Sequence, residues 1–217
     1  DTMKEHGYYF YNQPVEEILD GARVRVNGRI MGMYASYYYL GLVGHPRINE
    51  AAKKAVDQWG TGTNGVRTLA GTLTLHNELE ETIANFKHTE AAITYTSGYV
   101  TNLTVISTLM GRGDYVFSDK INHASIVDGC LMSGAEFRRF RHNDMEHLEG
   151  LLKNAPADVA KLVIADSVFS MDGDIIDLPK IVEISKKYNA WLMIDEAHSV
   201  GVLGKKGTGI EEHFGIG

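Results

Sequence analysis

From residue 91 onward, short apolar segments alternate with amphipathic ones, and this alternation limits the possible folds more than any other feature. Apolar segments rich in β-branched and aromatic residues predict strands at 91–96, 115–119, 136–140, 161–169 and 190–195. Apolar residues at helical spacing predict helices at 48–59, 76–88, 100–110, 124–133, 145–154 and 178–189. Strands that alternate with helices of this length form right-handed βαβ units. We therefore predict an α/β fold with a mainly parallel sheet and helices on both of its faces.

The first part of the chain is less regular. We expect residues 1–38 to form an N-terminal arm with a polar helix-like stretch at 15–20. Apolar and polar residues then alternate around Asn27-Gly28, a pair typical of a tight β-hairpin. Residues 39–217 are expected to form one large domain, because no internal repeat or low-complexity linker interrupts them.

Composition excludes several classes of protein. With 44% hydrophobic and 23% charged residues, the chain has the composition of a globular domain. A net charge of −7 disfavours a nucleic-acid-binding surface. Cys130 is the only cysteine, so an internal disulfide and a multi-cysteine zinc site are excluded, and we expect a cytoplasmic location and no metal. No apolar run reaches the roughly 18–20 residues that span a bilayer. The chain does not begin with Met, so we expect it to be a piece of a longer protein.

The stretch WLMIDEAHSVG at 191–201 has two possible interpretations. Its Asp-Glu-Ala-His could be the nucleotide box of a helicase, or a strand end that presents Asp195 and His198 to an organic cofactor. A nucleotide box needs a phosphate loop of the form G-x-x-x-x-G-K-[ST] upstream, and none exists here. The cofactor interpretation is therefore favoured, with Glu196 and Ala197 as spacers.

Polar residues follow several of the predicted strands where each strand ends. They are Ser97-Gly98-Tyr99, Asp119 with Asn122-His123, Asp166 to Ser170, and Asp195 with His198. In parallel sheets, ligands bind at the carboxyl ends of the strands. We therefore expect these groups to converge on one cofactor site.

A series of motifs from about residue 39 to 214 carries a resemblance to a known family. They are YLGLVGHP, GTGTNGVRTLAGTLTLHNELE, TSGYVTN, NHASIVDG, FRRFRHND, DSVFSMDGDIIDL and IDEAHSVGVLGKKGTG. Together these motifs resemble those of the α-oxoamine synthases, which use pyridoxal 5′-phosphate (PLP) and belong to the fold-type-I aminotransferase superfamily. The resemblance implies that residues 39–217 are the large, PLP-binding domain of that fold.

The resemblance also implies roles for three residues near the cofactor ring. Asp195 would bond the pyridine nitrogen, which must stay protonated if PLP is to act as an electron sink. His198 would contact the phenolic oxygen. His123 would stack on the ring and assist proton transfer. We expect Asn122 and Ser125 to be capping residues only.

The phosphate is expected at the first strand-to-helix turn. Backbone N–H groups at a helix N-terminus bind anions, and the resemblance assigns this role to Gly98 and Tyr99. Ser97, in the same turn, is also expected to bind the cofactor. Ser170 resembles a residue on the O3′ side of the cofactor. Lys205 and Lys206 are expected to be solvated charges.

Substrate contacts are less well defined. The family carries an Asn shortly before its Tyr-Leu-Gly, whereas this chain has Tyr37-Tyr38-Tyr39, which makes Tyr38 the candidate contact to the amino acid. The Gly-rich segment around Arg67 resembles a loop that reaches the neighbouring subunit's site. This implies a homodimer with its active site at the interface.

The implied activity is condensation of a small amino acid (glycine, alanine or serine) with an acyl-CoA or acyl-carrier-protein thioester. Carbon dioxide is usually lost, and the product is an α-amino ketone. The lysine that binds PLP covalently in the family is expected beyond residue 217, together with the small domain, so we expect the chain alone to be inactive. The alternatives are a non-catalytic partner subunit, or another fold-type-I enzyme such as an aminotransferase or aldolase.

Overall fold

A computed structural model describes residues 2–9 and 11–216. The chain consists of two compact units, Asp1–Thr72 and Leu73–Gly217. The division into an arm at 1–38 and a domain at 39–217 stays a prediction. Within the described ranges, no helix is long and apolar enough to cross a membrane.

The first unit contains a small antiparallel sheet and one long helix. Its elements are α1 (Thr2–Glu5), β1 (Glu17–Ile18), β2 (Arg23–Val26), β3 (Arg29–Gly32) and α2 (Pro46–Trp59). The strand order is β1-β2-β3. Asn27 and Gly28 have φ values of 49° and 71°, as a type I′ turn requires, so the predicted hairpin is confirmed. The helix-like interpretation of 15–20 is wrong, because β1 lies there and pairs with β2.

The second unit is a parallel α/β structure. Its elements are α3 (Thr74–Lys87), α4 (Gly98–Leu109), β4 (Tyr115–Asp119), α5 (Ala124–Ser133), β5 (Glu136–Phe140), α6 (Met145–Lys153), β6 (Lys161–Asp166), α7 (Leu178–Lys187), β7 (Trp191–Asp195) and α8 (Ile210–Phe214). The sheet order is β5-β4-β6-β7, and all of its strand pairs are parallel. The predicted α/β fold with a parallel sheet is confirmed.

The hydrophobic core lies on both faces of this sheet. Every residue of β6 is buried, and its apolar side chains alternate between two clusters. Val163 and Ala165 pack in the cluster that includes residues of α6, α7 and α8, whereas Leu162 and Ile164 pack in the cluster that includes residues of α4 and α5. Burial of one such side chain contributes roughly 1.5–3 kcal/mol. Helices therefore cover both faces, as the sequence predicts.

One predicted strand is wrong. Residues 91–96 are not a strand, and the backbone N–H and hydroxyl of Thr94 donate to Glu80 Oε1, at 2.7 and 2.9 Å. The Thr94 N–H therefore bonds a side chain of α3 rather than a neighbouring strand. The strand predicted at 161–169 is real but shorter, since β6 ends at Asp166.

Candidate functional site

Three strands of the parallel sheet end in aspartates at the same edge. β4 ends at Asp119, β6 at Asp166 and β7 at Asp195, and the last two are paired in register. The starts of two helices meet these strand ends, because Asn102 of α4 bonds Asp195 and the backbone of His123 bonds Asp166. This edge of the sheet is the candidate functional site.

Asp195 is held by hydrogen bonds to both of its carboxylate oxygens. Oδ1 accepts the Ala197 backbone N–H at 2.9 Å, and Oδ2 accepts the Asn102 side-chain amide at 2.8 Å. A carboxylate has about four acceptor positions. Asp195 therefore retains acceptor positions for an N–H that the described residues do not supply.

His123 is fixed along one edge of its ring. It is the N-cap of α5, where its Nδ1 accepts the Ser125 backbone N–H at 3.2 Å. Its own backbone N–H donates to Asp166 Oδ2 at 3.1 Å. Tyr99 meets the ring edge-on, with the ring centroids 6.2 Å apart. The residue as a whole is nevertheless exposed.

Asn102 connects His123 to Asp195. Its side chain is buried, and its Nδ2 donates to Asp195 Oδ2 at 2.8 Å and to Ser125 Oγ at 2.9 Å. Ser125 Oγ lies 2.7 Å from His123 Nδ1. One hydrogen-bonded chain therefore runs from the carboxylate of β7 through α4 to the imidazole at the start of α5.

Asp166 is a buried carboxyl group with one oxygen unpaired. Its Oδ2 accepts the His123 N–H, whereas Oδ1 has no hydrogen-bond partner among the described residues. Burial, and then the nearby negative charge of Asp195, raise the pKa of Asp166 to about 7; Asp119 adds to this, and the His123 N–H opposes it. Asp166 therefore titrates near neutral pH.

The turn at 97–99 leaves backbone donors open. Ser97 caps α4 by accepting the Val100 N–H at 3.2 Å. The first intrahelical bond runs from the Thr101 N–H to Ser97 O, so the N–H groups of Gly98 and Tyr99 precede it. A Cβ at Gly98 would meet no atom of the chain within 4 Å. The open space beside these donors suits an anion.

The side chain of Tyr99 bonds a residue of α5. Its hydroxyl donates to Asp128 Oδ2, and this hydrogen bond raises the pKa of Tyr99.

Ser170 is exposed on the loop between β6 and α7, and a histidine of the loop between β5 and α6 anchors it. The His142 ring lies 3.1 Å from Asp119 Oδ1 and 3.2 Å from Asp174 Oδ2. It meets Phe169 edge-on at 4.4 Å. Burial lowers the pKa of His142, but the hydrogen bonds to the two carboxylates outweigh burial and hold that pKa above its usual value.

Residues 196–198, which follow β7, differ in their exposure and in their hydrogen-bond partners. His198 is partly exposed in the turn at 197–200. Glu196 is not a spacer, because its Oε1 accepts Lys87 Nζ at 2.5 Å and its Oε2 accepts the Ile210 N–H at 2.9 Å. Ala197 is exposed, and its N–H donates to Asp195.

Comparison with known proteins identifies the family. The family model for aminotransferase class I and II matches residues 33–214. The chain belongs to the aminotransferase class I and II family. The resemblance to α-oxoamine synthases is also confirmed, since similar proteins are named 8-amino-7-oxononanoate synthase and serine palmitoyltransferase, and both are α-oxoamine synthases.

Similar proteins of this aminotransferase family align along the whole chain. 8-Amino-7-oxononanoate synthase of Geobacter sulfurreducens is 50% identical over 99% of this chain and 54% of its own length. The serine palmitoyltransferase of Sphingobacterium spiritivorum is 43% identical over 100% of the chain and 54% of its length. A structure of serine palmitoyltransferase from S. paucimobilis, with bound PLP and myriocin, has a TM-score of 0.96 at 38% identity over 99% of this chain and 56% of that chain. The chain therefore spans about half the length of the proteins it matches.

Two of the residues predicted for this aminotransferase-family site lie in the first unit. Tyr38 Oη donates to the Val43 carbonyl at 2.5 Å. The Arg67 carbonyl accepts the Thr72 hydroxyl at 2.6 Å. Their roles stay predictions.

The sequence alone did not single out the residues that hold the site together. Asn102, His142 and Glu196 bond partners that are 93, 23 and 109 residues away. Asn122 and Ser125 do more than cap a helix: Asn122 Oδ1 accepts the Asp166 N–H at 2.9 Å, and Ser125 bonds His123. Asn102 lies in the motif TSGYVTN and His142 in FRRFRHND. Their position inside these motifs was the one feature of the sequence that could have identified them.

The sheet edge of this aminotransferase-family chain offers hydrogen-bond donors that suit an anion and carboxylate acceptors that suit an N–H group. The start of α4 offers open N–H donors, Asp195 retains acceptor capacity, and Asp166 Oδ1 lacks a partner among the described residues. No group of three or more His, Cys, Asp or Glu in the described part of the chain is arranged to hold a metal.

Proposed function

We propose that this chain is the PLP-binding part of an α-oxoamine synthase, an enzyme that condenses a small amino acid with an acyl thioester. The observation that carries the proposal is the hydrogen-bonded chain from Asp195 through Asn102 and Ser125 to His123, beside the open start of α4. The chain spans 54–55% of the curated α-oxoamine synthases that it matches. The activity proposed is therefore that of the full-length protein.

The sheet edge would hold PLP through both hydrogen-bond donors and a carboxylate acceptor. The residues assigned to it are Ser97, Gly98, Tyr99, His123, Ser170, Asp195 and His198. Backbone N–H groups at the start of α4 would bind the phosphate, and the β7 carboxylate would accept the ring N–H. PLP, when bound, supplies an electron sink for charge that develops at the amino acid's Cα. The two histidines and Asp195 are the proposed catalytic residues; His198 would contact the phenolic oxygen and His123 would cover one ring face.

We propose glycine, alanine or serine as the amino acid and an acyl-CoA or acyl-carrier-protein thioester as its partner, with loss of carbon dioxide. The names of the relatives support a condensation of this class. Tyr38 and Arg67 are proposed to contact substrate, and Arg67 is proposed to do so in the site of a second subunit. This makes the enzyme a homodimer. We propose a cytoplasmic location on the basis of the single cysteine.

An absorbance titration of the full-length protein with PLP tests the proposal. We expect a band of protein-bound PLP that shifts on addition of one of the three amino acids, and turnover only when an acyl thioester is also present. Absence of any band would contradict the cofactor assignment. A band with turnover that needs no thioester would instead indicate an aminotransferase or aldolase, and a band that no amino acid shifts would indicate a non-catalytic subunit.

Asp195→Asn tests the carboxylate at the end of β7. The substitution keeps the size of the side chain but removes the charge that supports a protonated ring nitrogen. We expect exchange of the amino acid's Cα hydrogen to fall by at least about 100-fold, a loss of roughly 3 kcal/mol in the barrier. Asp158→Asn, an exposed residue at the opposite end of β6, is the matched control. Equal exchange rates in wild type and Asp195→Asn would overturn the assignment.

A further inference from the structure

The hydrogen bonds of His123 determine which ring nitrogen carries its proton. Nδ1 accepts the Ser125 backbone N–H at 3.2 Å, as the N-cap contact of α5. A backbone N–H can only donate, so Nδ1 must present a lone pair at this point. The neutral imidazole therefore carries its proton on Nε2.

The Ser125 hydroxyl completes the same arrangement. Asn102 Nδ2 lies 2.9 Å from Ser125 Oγ, and an amide nitrogen can only donate, so this hydroxyl accepts. Because Nδ1 carries a lone pair and no proton, the Ser125 hydroxyl donates to it across 2.7 Å and shares that lone pair with the backbone N–H. The orientation of the Asn102 amide is fixed in turn by Asp195, whose carboxylate accepts from the same nitrogen at 2.8 Å.

We propose that Asn102 is a positioning residue that holds Asp195 and, through Ser125, locks His123 in the Nε2–H tautomer. Asn102 and Ser125 are buried, whereas His123 is exposed, so the Nδ1 edge of the ring is engaged inside the protein. The remaining nitrogen is a donor.

The Nε2–H tautomer limits which groups can hydrogen-bond the free nitrogen of His123. A group that meets Nε2–H must be an acceptor, such as the carboxylate oxygen of the amino acid or the carbonyl oxygen of the acyl partner. This part of the inference rests on the proposed function, whereas the tautomer itself does not.

Nitrogen NMR of the cofactor-free, full-length protein tests the tautomer. With ¹⁵N-labelled histidine, and with the His123 signals assigned by their loss in His123→Gln, we expect Nε2 to have the shift of a protonated ring nitrogen and Nδ1 that of an unprotonated one. Ser125→Ala removes one of the two donors to Nδ1, so we expect the ratio of the two tautomers to move about fivefold toward Nδ1–H. Asn102→Ala should move it in the same direction, because the hydroxyl loses the donor that orients it.

Ser133→Ala is the matched control, because its hydroxyl also lies on α5 but donates to the Cys130 carbonyl at 2.7 Å. We expect it to leave the His123 shifts unchanged. A proton on Nδ1 in the wild type, or a tautomer ratio that neither Ser125→Ala nor Asn102→Ala moves, would overturn the proposal. Failure of the wild type to bind PLP would contradict the proposed function and leave this measurement unaffected, so the two failures are distinguishable.

Discussion

Asp166 is a carboxyl group that the fold buries beside a second carboxylate. Burial and the charge of Asp195 raise its pKa from near 4 to about 7. The folded state therefore binds the proton more tightly than the unfolded state does. This contribution to stability is complete below about pH 4 and is lost as pH rises through about 7.

Asp166→Asn removes this pH dependence, because the amide keeps the shape of the protonated carboxyl but cannot ionise. We expect its free energy of unfolding, relative to wild type, to increase by on the order of 4 kcal/mol between pH 4 and pH 8. Urea unfolding of the cofactor-free protein at several pH values measures this difference. Asp158→Asn, which alters an exposed aspartate, serves as the control. A difference between Asp166→Asn and wild type that stays constant with pH would show that Asp166 is ionised throughout.

At the scale of elements, Glu196 joins three segments of the second unit. Its Oε1 accepts Lys87 Nζ from the end of α3, and its Oε2 accepts the Ile210 N–H at the start of α8. The paired side chains of Lys87 and Glu196 are only 18% and 15% exposed. Gly209 leaves space for this carboxylate, because a Cβ there would lie 1.9 Å from Oε2.

Glu196→Gln leaves the Lys87 charge largely buried without its counter-charge. We expect a loss of about 2–3 kcal/mol in the free energy of unfolding, measured by urea denaturation. The control is Glu183→Gln, which breaks an exposed ion pair with Lys180 and should have little effect. Equal losses in the two variants would indicate that the buried pair adds nothing beyond a surface pair.

The elements also show what can be predicted from sequence and what cannot. β4, β6 and β7 were predictable because buried parallel strands are short, nearly continuous apolar runs. Residues 91–96 are also a short, largely apolar run, yet a strand also needs a neighbour, and Thr94 bonds Glu80 instead. The carboxylate at the end of β7 follows an apolar run and was predictable as a candidate. Asn102 was not, because its importance comes from Asp195, 93 residues further along the chain.

At the scale of the whole molecule, the two units differ in how much core they contain. Both large hydrophobic clusters belong to the second unit, where Val116, Phe117, Val163 and Ile164 are fully buried. In the sheet of the first unit, Val24 of β2 is the only buried residue that the structure describes. A small sheet with little buried apolar area is marginally stable by itself. Local opening should therefore require much less free energy in the first unit than in the second.

Hydrogen exchange of the full-length protein measures this difference. We expect the amides of β4 and β6 to exchange roughly a thousandfold or more slowly than those of β1–β3, because the central strands open only with global unfolding. Val116→Ala, which creates a cavity in the core, should accelerate exchange in both β4 and β6 by the same factor if they open as one cooperative unit. Val15→Ala, at an exposed position before β1, is the matched control and should leave both strands unchanged. Slow exchange in β1–β3 equal to that in β4 would contradict the expectation, and would mean that a further part of the protein or a second subunit covers this sheet.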